Sequence, residues 1–63
     1  MTTQPNITSQ SRMLFLSLLE NTQSLTESIL QLEMMLQYEP KNKVIKTATK
    51  QAWAQFTANT LKN

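Results

Sequence analysis

The side chains able to do acid–base or nucleophilic chemistry are few in this 63-residue chain, and they do not converge. Glu20, Glu27, Glu33 and Glu39 are its only carboxylates, and there is no aspartate, histidine or cysteine. Catalysis needs titratable groups held together in a pocket. Four glutamates strung along one segment do not pair readily as acid and base. A serine nucleophile would lack a histidine partner. Without His and Cys, a nitrogen/sulfur metal site is excluded. The absence of glycine rules out Gly-rich phosphate loops. No enzyme activity, cofactor, metal or small-molecule substrate is expected. The chemistry left to the chain is the burial of apolar surface against something else.

The elements that must present that surface are helical. Phe15, Leu18, Thr22, Leu25, Ile29, Leu32 and Leu36 follow a three-four spacing, and six of these seven are apolar. No Gly or Pro interrupts Gln10 to Glu39, and Leu, Met, Gln and Glu favour helix. The spacing predicts one long helix over residues 9–37. Ser24-Leu25-Thr26-Glu27 has the form of a capping box that would start a new helix. However, Leu18 and Leu25 keep register across it, and the reading adopted is a continuous helix. Tyr38-Glu39-Pro40-Lys41-Asn42 is the clearest punctuation. Proline lacks a backbone donor and disfavours helix at the residue before it. Glu39 is the expected cap of the next helix, with Pro40 in its first turn, and Asn42 is the alternative.

A second, shorter helix is predicted over residues 41–61, with Ile45, Ala48, Ala52 and Phe56 on one face and Thr49 and Trp53 flanking it. The expected fold is all-α: an antiparallel two-helix hairpin over residues 9–63, with its turn at 38–42. Residues 1–8 are read as a flexible polar tail, in which Asn6, Thr8 or Ser9 can cap the first helix. The acids all precede the turn, and five of the six bases (Lys41, Lys43, Lys46, Lys50 and Lys62) follow it. That asymmetry favours folding back.

A hairpin of unequal arms leaves surface uncovered. The second helix, folding back from Pro40, reaches only to about Leu18 or Leu19, so Met13-Leu14-Phe15-Leu16-Ser17-Leu18-Leu19 is expected to lie bare. A second stripe of Leu16, Leu19, Leu30 and Met34 falls opposite the Leu18–Leu25–Leu32 seam. Met13, Leu14, Phe15, Leu16, Leu19, Leu30, Met34 and Trp53 are therefore the candidate protein-binding residues. The implied partner is another protein, or a second copy in a homo-oligomer. A chain this short, with no disulfide, gains most from such a staple. Phe56 is expected to pack inside the hairpin.

Nucleic acid is not the expected partner, and a small nucleic-acid-binding regulator using the Lys43, Lys46 and Lys50 face stands only as an alternative. Lys43, Lys46 and Lys50 share a face, but a net charge of +2 is a dilute basic surface. The apolar run Met13–Leu19 is too short to span a membrane. It also lacks the basic start and small-residue cleavage site of a signal peptide. The cysteine-free composition points to the cytoplasm.

Gln31-Leu32-Glu33-Met34-Met35-Leu36, just before the turn, resembles a Gln-Leu-Glu-Met-x-Leu stretch of the small helical-hairpin co-chaperones that serve the needle subunit of type III secretion systems. Size, the two-helix plan and the lack of Cys resemble that class as well. The resemblance implies a non-catalytic protein that binds a second chaperone through apolar helix faces. On this chain those faces would include Leu16, Leu19, Leu30 and Met34.

Overall fold

A computed structural model describes residues 6–61, which form three helices: α1 (Ile7–Thr22), α2 (Leu25–Tyr38) and α3 (Lys43–Leu61). The all-α expectation holds for the described residues, but the single long helix and the two-helix hairpin do not. The predicted helix over 9–37 is two helices of 16 and 14 residues, broken at Gln23–Ser24. The tail expected over 1–8 falls partly on residues 1–5, which lie outside the described residues. Asn6 is already the N-cap of α1, its side chain accepting a hydrogen bond from Thr8 N at 2.9 Å.

The break is made by side chains that compete with the helical backbone. Gln23 adopts the left-handed region (φ 56°, ψ 27°) and donates its N–H to Leu19 O at 2.7 Å, closing α1 as a C-cap. Ser24 is extended and caps α2, its Oγ accepting from Glu27 N at 3.2 Å. Thr22 Oγ1 donates to Ser24 O at 3.0 Å, accepts from Ser24 N at 3.3 Å and lies 3.0 Å from Ser28 Oγ. Ser28 Oγ in turn donates to Ser24 O at 2.9 Å. Hydroxyls at this spacing offer the backbone an alternative to continued helix, so a turn replaces it. The capping box is half formed: the partner of Ser24 N is Thr22, not Glu27.

The second turn follows the alternative cap. Tyr38 ends α2, and Glu39 N donates to Met35 O at 3.0 Å. Asn42, not Glu39, starts α3, with Oδ1 accepting from Val44 N (2.9 Å) and Ile45 N (3.1 Å). Pro40 lies in the turn ahead of the helix, outside its first turn. Glu39 supports the cap by accepting from Asn42 Nδ2 at 3.0 Å.

All three helices touch one another, and α1 packs most extensively on α3. Phe15, Ile29, Leu32, Ala48 and Ala52 form the core, with Leu14, Leu18, Leu19, Leu25 and Met35 packed around it. The seam inferred from spacing is the buried one: Phe15, Ile29 and Leu32 are buried, and Leu18, Thr22, Leu25 and Leu36 are half-buried. Two separate helices turn it toward the same centre. Small side chains bring the helices close. Ser11, Ser28, Ala48 and Ala52 are fully buried, and each buried hydroxyl is satisfied. Ser11 Oγ donates across to Val44 O (2.9 Å), and Thr49 Oγ1 donates to Ile45 O (2.8 Å). Gln51 Nε2 reaches Thr8 O at 3.2 Å, a second tie between α1 and α3. Burying a side chain such as Leu32 contributes about 2–3 kcal/mol.

Gln23 gives the fold a testable weak point. A non-glycine residue in the left-handed region costs about 1 kcal/mol. Replacing Gln23 with Gly is expected to stabilise the chain by roughly 0.5–1 kcal/mol, while Gln23→Val destabilises it. Urea denaturation followed by far-UV circular dichroism checks the order. If Val proved as stable as Gly, the left-handed cap would not exist in solution.

Candidate functional site

All four glutamates are exposed. Glu39 serves the Asn42 cap and Glu33 bonds to Trp53. The described residues contain no group of three or more His, Cys, Asp or Glu able to hold a metal ion. No helix among them is long and apolar enough to cross a membrane.

What the helices build is a groove. Its volume is about 410 Å³, and Thr26, Ile29, Leu30, Glu33, Trp53 and Phe56 line it. It runs between α2 and the second half of α3, where the core-facing stripe of α3 emerges from under its neighbour. Ile29 forms its floor and belongs to the core. Leu30 and Trp53 stand at its sides, 52% and 44% exposed, and Phe56 is 38% exposed. Met34, one turn from Leu30 on the same face of α2, extends the apolar edge.

The aromatic wall is held in place. Trp53 Nε1 donates to Glu33 Oε2 at 2.8 Å, bridging α3 to α2. Phe56, one turn on, meets Trp53 edge to face, with ring centroids 5.6 Å apart and an interplanar angle of 86°. Satisfying the indole N–H within the chain leaves the ring face free for apolar contact.

The candidate residues separate into two groups. Leu30 and Trp53 come together at the groove, while Met34 is exposed one turn along α2 from Leu30 and does not line it. Met13 and Leu16 are exposed on the outer face of α1. Leu14 and Leu19 are half-buried, packed on the core. Phe15 is inside it at 4% exposure, so the expectation of a bare Met13–Leu19 segment fails there. The break at Gln23 folds α1 back onto α3, which covers the face that a straight helix would have left open. Leu19, grouped by periodicity with Leu16, Leu30 and Met34, turns toward the core for the same reason. Phe56, assigned to the interior, is instead exposed in the groove.

Thr26, Ile29, Glu33 and Phe56 were not among the sequence-derived binding residues. Ile29 and Phe56 read as core from their spacing, and nothing in the sequence pairs Glu33 with Trp53. One legible signal pointed here: residues 51–61 contain no charge. Lys43, Lys46 and Lys50 are exposed on the earlier part of α3 and do not line the groove.

Compared with protein-family models, curated proteins and solved structures, the chain matches none. The two-helix plan carried by the resemblance to needle co-chaperones is not the plan this chain adopts.

Trp53, the only tryptophan, reports on the groove directly. Glu33→Ala is expected to leave helicity intact, to cost at most about 1 kcal/mol, and to lower the fluorescence anisotropy of the freed indole. Unchanged anisotropy and quenching would show that the Glu33 bond does not hold the ring.

Proposed function

We propose that this chain is a non-enzymatic protein-binding module that seats an amphipathic helix of its partner in the α2–α3 groove. The single observation that carries this reading is the groove itself. Its apolar walls are half-exposed, and its aromatic wall is fixed by the Glu33–Trp53 bond and the Trp53–Phe56 contact. Helix-in-groove recognition uses apolar anchors repeating along one helix face. Trp is among the residue types that dominate interface energetics, and a ring already held in place loses less entropy on binding.

The economy of the chain also supports this reading. A core of six buried apolar residues among those described, on three short helices without disulfides, leaves a narrow stability margin. A partner that binds only the folded form widens it. A chaperone-like holding role, the one implied by the resemblance to type III secretion co-chaperones, is one form such binding can take. Gln31–Leu36 is its residue-level support. We take the cytoplasm as the setting, since a cysteine-free chain suits a reducing compartment.

The test is photocrosslinking from within the groove. Phe56 is replaced by benzoylphenylalanine in the full chain, expressed in its native cell and irradiated. The expected result is a discrete polypeptide adduct that Leu30→Glu abolishes. Absence of any adduct, or adducts indifferent to Leu30→Glu, would overturn the groove as a binding site.

A further inference from the structure

Resting on the groove as a protein-binding site, we infer that its occupant is the C-terminal half of α3 from a second copy of this chain. Two copies would pair antiparallel through residues 53–61, each seating its helix end in the other's groove.

The inference starts from a helix end that the described residues leave exposed. From Trp53 onward every described residue of α3 is exposed. With 19 residues to the 14 of α2, α3 outruns its neighbour. The free end includes Thr57, Asn59 and Thr60, which are poor helix formers. A helix without tertiary cover draws little stability from propensity alone. Yet the helix continues to Leu61, which is 79% exposed.

The chemistry of that end is unusual for a surface. Exposed helix faces ordinarily carry charge, but Gln51 to Leu61 has none, while Lys43, Lys46 and Lys50 crowd the first half of the same helix. Its polar side chains partly satisfy themselves. Thr60 Oγ1 donates to Phe56 O at 2.9 Å, and Gln55 Nε2 donates to Asn59 Oδ1 at 3.0 Å. Such a segment enters an apolar interface without leaving charges unpaired.

Self-complementarity follows from where the groove lies. Trp53 and Phe56 are at once its wall and the root of the free end, so a two-fold axis near Thr57 brings each helix end over the other copy's groove. That is the same patch on both subunits, as an isologous contact requires. Antiparallel pairing also sets the helix dipoles favourably and keeps the lysine-bearing halves of the two α3 helices apart. Leu30, Trp53, Phe56 and Leu61 at their fractional exposures present on the order of 500 Å² per copy. The small residues between them bring this toward the roughly 800 Å² that each partner gives to a stable interface.

The experiment is sedimentation equilibrium of the full chain from micromolar to millimolar concentration. Concentration-dependent growth from 7.2 kDa to twice that mass is expected. The dissociation constant should change less than about threefold between low and high salt, because apolar side chains carry the contact and Glu33, bonded to Trp53, is the one charged side chain lining the groove among the described residues. Leu61→Glu touches no core residue and should weaken the dimer at least about tenfold with helicity unchanged, which separates lost pairing from lost folding. The chain has no cysteine, so Thr57→Cys should give a disulfide-linked dimer on mild oxidation and Gln37→Cys should not. A monomer at every concentration overturns the second copy as occupant. If Phe56 then crosslinks to a different protein, the groove keeps its binding role and only its occupant changes, whereas no adduct sinks both. A dimer indifferent to Leu61→Glu, or one dissolved by salt, transfers the contact to another face and overturns the inference.

Discussion

The left-handed turn at Gln23 determines where every other part of this molecule goes. With φ at 56° there and Ser24 extended, α1 cannot continue into α2. Thr22, Ser24 and Ser28 meet the backbone groups that the lost helical turn would have used. The conformational cost at Gln23, about 1 kcal/mol, is offset by what the turn permits. Phe15 leaves solvent, and Leu14, Leu18 and Leu19 pack on the core. A straight helix would have left that segment with no neighbour to bury it.

Close approach then depends on small residues. Ser11, Ser28, Ala48 and Ala52 have no exposed surface, and larger side chains at these places would push the helices apart. The hydroxyls accept the polar cost of burial because each has a partner within reach. Ser11 crosses to Val44 and Thr49 bonds within its own helix. Charge is arranged to suit the packing, since the acids belong to α1, α2 and the turn, and α3 carries Lys43, Lys46 and Lys50. Attraction of this kind orients helices without requiring particular ion pairs.

The groove is a by-product of unequal lengths made specific by one hydrogen bond. Because α3 outruns α2, its core-facing stripe emerges into solvent at Phe56. The Glu33–Trp53 bond keeps Trp53 across the interhelical gap. Fold and binding surface are therefore coupled. The turn that buries Phe15 removes one apolar face from the surface, and the excess length of α3 supplies another.

Composition and periodicity by themselves determined that the chain is helical, that it turns at Pro40, and that Ile29, Leu32, Ala48 and Ala52 lie on inward faces. These are local or one-dimensional properties. Proline removes a donor wherever it stands, and a three-four repeat marks one side of a helix whatever that side meets. The sequence also carried the signals for the Ser24 and Asn42 caps. Whether a capping signal interrupts a helix is decided by the packing gained on either side of it. The register of Leu18 and Leu25 argued for continuity, but burial of α1 on α3 outweighed it. Which apolar residues stay exposed was a tertiary matter for the same reason. Phe15 and Phe56 both fall on inward stripes, yet one is covered and the other is not, because coverage depends on where neighbouring helices end.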